Sequence, residues 1–159
     1  MKLFYAMSIL MLLCSCSHDN AKLDRDPHLE KMASSLLGSD VRTLELIYVP
    51  DTTSFRLPLT PDLLQTNYRC KVTLDASTYS SVLLRLKESL SATHSSPVSK
   101  VAEVRSGIVL RSNPDTLVSS IYFDRSGKLA MVDGISLQLE GPLYSTAREL
   151  MRSCAADQN

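Results

Sequence analysis

The chain has 159 residues, with 17 basic and 17 acidic side chains, so its formal charge is zero. At 44% apolar and 21% charged, with five Gly and four Cys, it is too apolar for a disordered chain, too Gly-poor for collagen and too Cys-poor for a disulfide scaffold. Its length suits one domain, and the neutral balance offers no basic face of the kind nucleic-acid binders need.

Lys2 precedes an apolar run of eleven residues, 3–13, which ends in Leu13-Cys14-Ser15-Cys16. One positive residue, a short apolar run and a small-residue site predict a secretory signal peptide. The run is too short to span a bilayer, which takes about 20 apolar residues. A buried core helix is the alternative, but the polar Ser17-His18-Asp19-Asn20 that follows suits a tether better.

Leu13-Cys14-Ser15-Cys16 resembles the lipobox of bacterial lipoproteins, with Leu three places before the modified Cys and a small residue directly before it. Cys14 departs from the usual Ala, Ser, Thr or Val. The resemblance covers the first sixteen residues only. It implies cleavage before Cys16, a diacylglycerol on the Cys16 sulfur and an acyl chain on the new amino group. Ser17 in place of Asp implies sorting to the outer membrane, facing the periplasm. Each buried CH₂ contributes about 0.8 kcal/mol, so two or three long chains anchor a protein far more firmly than one.

The chain then divides into a signal peptide (1–15), a lipidated tether (16–26) and one folded domain (27–159). Without Lys2 the balance is 16 basic to 17 acidic residues, so neutrality survives cleavage. Ten polar tether residues reach about 15–20 Å as a coil. Of the four Cys, Cys70 and Cys154 remain for the domain. In an oxidising compartment an even remainder predicts a disulfide. It would close a loop of about 85 residues, worth roughly 4–5 kcal/mol in the chain-entropy model. Two buried free thiols are the alternative. No CxxC is present, which argues against a thiol oxidoreductase.

Asp26-Pro27 reads as a helix N-cap and first position, with Leu29, Met32, Ala33, Leu36 and Leu37 facing in and Gly38 as the stop. Residues 44–49 predict a strand and 55–57 a second, short one. Thr60-Pro61 opens a brief helix. Residues 68–74 alternate as a half-buried strand, and Asp75 is expected to cap a helix whose stripe is Tyr79, Val82, Leu83, Leu86 and Leu90. Residues 91–100 read as a loop. Four strands follow at 104–111, 117–123, 128–132 and 135–139, separated by Asn-Pro-Asp, Asp-Arg-Ser-Gly and Asp-Gly turns. Gly141-Pro142 precedes a last helix over 143–154. Short turns dictate antiparallel neighbours. The predicted fold is α+β, a two-layer sandwich of a mainly antiparallel sheet covered by two or three helices.

No nucleophile elbow, phosphate loop or HExxH is present, so neither a metal nor another cofactor is expected. His18, His28 and His94 read as solvated. Asp124-Arg125-Ser126-Gly127 and Asp133-Gly134 read as turns rather than a calcium site, because EF-hand spacing is missing. Arg69, Lys71, Arg105 and Arg111 fall on strands and, if they share a face, form a basic patch for an acidic protein or a carboxylate. A solvated sheet face is the plainer reading of the same residues.

The leading expectation is a non-enzymatic envelope lipoprotein with a small protein-binding domain, either an immunity or inhibitor protein or an assembly subunit of a secretion apparatus. The alternative is a periplasmic small-ligand or lipid carrier, or an enzyme without a local motif.

Overall fold

The structure is a computed structural model describing residues 26–75, 77 and 80–156, the side chains of 153–156 excepted. The signal segment, Cys14, Cys16, tether residues 17–25, Tyr79 and the Cys154 side chain lie outside the described residues. The fold is α+β, as the sequence predicts. The elements run α1 (Pro27–Leu36), β1 (Thr43–Tyr48), α2 (Pro61–Asn67), β2 (Cys70–Asp75), α3 (Ser80–Ser91), β3 (His94–Pro97), β4 (Ser106–Asn113), β5 (Thr116–Phe123), β6 (Leu129–Val132), β7 (Ile135–Glu140) and α4 (Leu143–Ala156).

All seven strands join one antiparallel sheet in the order β2-β1-β4-β5-β6-β7-β3. β4 to β7 form a meander, because each connection is too short for anything but a hairpin. The β6–β7 turn is Asp133-Gly134, with φ of 46° and 88°. Both residues have positive φ, which matches the right-handed strand twist and explains the Asp-Gly pair.

Period two assigns each residue to a face. Leu44 and Leu46 point to the face that also carries Ile108, Leu110, Ile121 and Phe123. α1, α3 and α4 cover this face, supplying residues such as Met32, Leu86 and Ala147. Met32, Leu86 and Phe123 are all 0% exposed, so the layer between helices and sheet is filled. Asp26 caps α1 by accepting from the His28 N–H at 2.8 Å, and Pro27 supplies the fixed φ of the first turn. Leu37, expected to face in, is 48% exposed, because the helix ends one residue earlier.

A second, smaller cluster lies on the opposite face. Ile47, Val49, Val109 and Tyr122 meet Leu59 and Leu64 from the α2 segment and Val101 and Val104 from the approach to β4. This face, expected to be solvated, is therefore partly covered. Thr60 caps α2 through Leu63 N–H at 3.3 Å.

Two further expectations need correction. Residues 55–57 form no strand, because β2 and β4 already occupy both edges of β1. Phe55 instead packs on the second cluster. Residues 94–97, read as loop, pair with β7 at the far edge. Their polar His-Ser-Ser-Pro sequence has no strand period, and only the open side of β7 recruits them. The Asp75 carboxylate, expected to cap α3, accepts from the Ser77 N–H and hydroxyl, and the residues 78–79 just before the first described residue of α3 lie outside the described residues.

Candidate functional site

The odd-numbered positions of β1, β2 and β4 share the face that holds the second cluster. Glu45 stands opposite Thr73 on one side and Val109 on the other. Lys71 and Arg111 lie two residues from those partners in opposite directions, opposite Ile47 and Thr43. The three side chains thus form a diagonal across β2, β1 and β4. Lys71 Nζ is 2.6 Å from Glu45 Oε1, and Arg111 Nε is 3.1 Å from Glu45 Oε2.

The diagonal continues through α2 to β5. Arg111 donates to Gln65 Oε1 at 3.2 Å, and Gln65 Nε2 donates to the Tyr122 hydroxyl at 2.6 Å. Tyr122 lies directly opposite Gly107. A Cβ there would fall 2.6 Å from the Tyr122 ring, so only glycine lets the ring lie against β4.

Burial pushes the Glu45 carboxyl up, but hydrogen bonds and attraction from Lys71 and Arg111 outweigh it, so its pKa falls below the ordinary 4.5. Burial holds the Tyr122 phenol above its ordinary value of 10.0. The tyrosine is therefore a neutral hydrogen-bonding group here, not a base.

Beside Tyr122, a cleft of about 500 Å³ opens between α2 and the ends of β5 and β6. Gln65, Asp62, Leu117, Met131 and Asp133 are among the residues that line it. Asp133 Oδ1 accepts from the Ser120 N–H at 2.8 Å and the Ser119 hydroxyl at 3.0 Å, while Oδ2 meets Lys31 Nζ at 3.1 Å. Burial raises the Asp133 pKa, and these partners together lower it below 3.8. Both its oxygens are engaged in holding the hairpin against β5 and α1. Asp124 likewise accepts from Ser126 and the Leu129 N–H inside its own turn. Among the described residues, no group of three or more His, Cys, Asp or Glu could hold a metal ion.

The four basic residues singled out from the sequence divide. Lys71 and Arg111 meet at Glu45. Arg69 is exposed at the start of β2, where its N–H donates to the Tyr48 carbonyl at 3.0 Å. Arg105 is 5% exposed, so a solvated face is not where it sits. It contacts Glu103 at 2.6 Å, donates to the Thr53 carbonyl at 2.7 Å and lies 5.5 Å from the Phe55 ring. It clamps the 50–59 segment to the sheet. Lys71 and Arg111 share the one carboxylate of Glu45 and Arg105 has that of Glu103, so three of the four cations are tied into ion pairs.

Glu45, Gln65 and Tyr122 escape sequence reasoning. Only Glu45 leaves a signal: an acid inside Leu-Glu-Leu-Ile-Tyr-Val, a strand apolar on both faces, demands a cationic partner. His28 sits in the first turn of α1 and His94 is exposed on β3. Cys70 is buried at the start of β2 and has an interaction partner. No described helix is long and apolar enough to cross a membrane. No protein-family model matches the chain, and no curated protein or solved structure matches it.

Proposed function

We propose that this chain is a lipid-anchored protein of the bacterial envelope that acts by binding another protein, not by catalysis. The observation that carries the binding half is the cleft beside Tyr122. Its walls include exposed apolar side chains such as Leu117, 50% exposed, together with Gln65 and Tyr122, which the hydrogen bonds of that diagonal ladder tie to Arg111 and Glu45. Apolar contact with a few fixed polar groups is the pattern of a protein-binding surface. The anchoring half rests on Leu13-Cys14-Ser15-Cys16, with Cys16 as the lipid-bearing residue and the periplasmic side of the outer membrane as the site of action. A Cys70–Cys154 bridge belongs to the same reading, since α4 packs on β2 where Cys70 is buried and engaged. The filled layer beneath the helices favours this reading over that of a carrier holding an apolar ligand between layers.

An inhibitor or immunity protein needs one such surface to block a toxin, and an assembly subunit needs one to dock a neighbour. A photo-crosslinking residue placed at Leu63 or Leu117, in the full chain in its membrane, is expected to yield one discrete protein adduct. The same residue at Leu84 or Leu37, exposed on α3 and at the end of α1, is expected to yield none. Equal labelling from both sets defeats the reading. Replacement of Cys16 by Ser is expected to abolish incorporation of a palmitate analogue; labelling at the wild-type level defeats the anchor.

A further inference from the structure

The sheet has two edges, and they are treated differently. β3 is four residues long and ends in Pro97, which lacks a donor. Short length and proline are the usual ways of closing an edge to further pairing. β2 runs for six residues, Cys70–Asp75, with no proline. Among the described residues it pairs with β1 alone, so its outer N–H and C=O groups face away from the sheet.

The side chains of β2 carry a two-fold pattern. Lys71, Thr73 and Asp75 are exposed on one face, while Val72 and Leu74 are half-buried on the other. Consider a second copy of β2 laid antiparallel with Thr73 opposite Thr73. Lys71 then faces Asp75 of the other copy, twice by symmetry. Val72 faces Leu74, also twice, on the side where α4 packs. A register centred on Val72 places Lys71 opposite Thr73, and one centred on Leu74 places Asp75 opposite Thr73. Centres between residues put polar side chains opposite apolar ones. Within Cys70–Asp75, the Thr73 register is the one that sets opposite charges across from each other on one face and apolar side chains on the other; the Val72 register pairs Asp75 with Arg69, which precedes the strand. Lys71 already contacts Glu45 and Asp75 already accepts from Ser77, but an ammonium has three donors and a carboxylate about four acceptor sites, so each can take a further partner.

We propose that β2 is a self-association edge: two copies of this chain pair antiparallel through residues 71–75, with the two-fold axis at Thr73, to make one continuous sheet. Opposite charges and apolar partners directly across a strand pair each favour association, and like charges oppose it. The interface is isologous, so it closes at two copies and does not propagate.

The test uses the full lipidated chain in its membrane. Thr73→Cys is expected to form an intermolecular disulfide on mild oxidation, because cross-strand Cβ atoms approach within reach of one. Thr116→Cys, exposed at the β4–β5 hairpin, is the reference and is expected to form little. In the Thr73→Cys background, Asp75→Lys alone and Lys71→Asp alone each set like charges against each other. Each is expected to lower the cross-linked yield about tenfold. Co-expressed, they set two Lys against two Asp, and the yield is expected to return as a mixed pair. Thr73→Cys cross-linking no better than Thr116→Cys overturns the proposal, as does a charge swap without effect. A single-chain mass for the wild-type protein extracted in mild detergent overturns it without recourse to any variant.

Discussion

Replacing Glu45 by Gln removes one charge and keeps the shape. In the wild type, Glu45 holds Arg111 at 3.1 Å and Lys71 at 2.6 Å, with the Glu45 side chain 13% exposed and that of Arg111 16%. A hydrogen bond to a charged group contributes about 1.5–3 kcal/mol. Lys71 is one-third exposed, so its share is screened to below about 1 kcal/mol. Gln retains one acceptor, which offsets part of the loss. The expected destabilisation is about 2 kcal/mol, or a Tm lower by about 8 °C for a folded unit of this size. Urea unfolding with an unchanged slope measures it. The pH dependence gives an independent check. Because the folded pKa of Glu45 lies below its ordinary value, the carboxylate stabilises the fold fully above about pH 5 and loses that contribution as pH falls through the folded pKa. Gln65 and Tyr122 keep their bonds in both proteins. The gap between wild type and Glu45→Gln is therefore expected to be constant from pH 6 to 8 and to close toward pH 3. A loss under about 0.5 kcal/mol, or a gap that persists at pH 3, refutes the account of the ladder.

Two other changes probe the same surface. Gly107→Ala places a Cβ 2.6 Å from the Tyr122 ring. It is expected to cost about 1–3 kcal/mol by overpacking and, by turning Tyr122 away from Gln65, to lower adduct formation from Leu117. Arg105→Lys keeps the charge but loses the fork that reaches Glu103 and the Thr53 carbonyl together. Hydrogen exchange is expected to rise at the Thr53 amide, which bonds the Pro50 carbonyl, with an overall loss of about 1–3 kcal/mol; unchanged exchange at Thr53 removes the clamp from the account.

The elements were largely legible because their signals are local. Asp26-Pro27 and Thr60-Pro61 set helix starts through their own caps, and Asp133-Gly134 set a hairpin through backbone freedom alone. Alternation put Lys71 on the wet face of its own strand and Leu44 with Leu46 on one face of theirs; the register of β2, β1 and β4 then brought Lys71 and Arg111 to the same face of the sheet. Tertiary structure decided the rest, for reasons of connectivity. His94-Ser95-Ser96-Pro97 became a strand because β7 had an open edge, and 55–57 did not because β1 had none. Arg105 reads the same as Lys71 in sequence, yet the 50–59 segment folds over it and buries it. Gln65 joined the ladder only because α2 crosses that face, and Cys70 came under α4 for the same kind of reason. The sequence determined which residues could pair, through their charge, period and turn chemistry. Which ones did pair, and which became buried, depended on strand order, because long-range neighbours are set by the whole sheet.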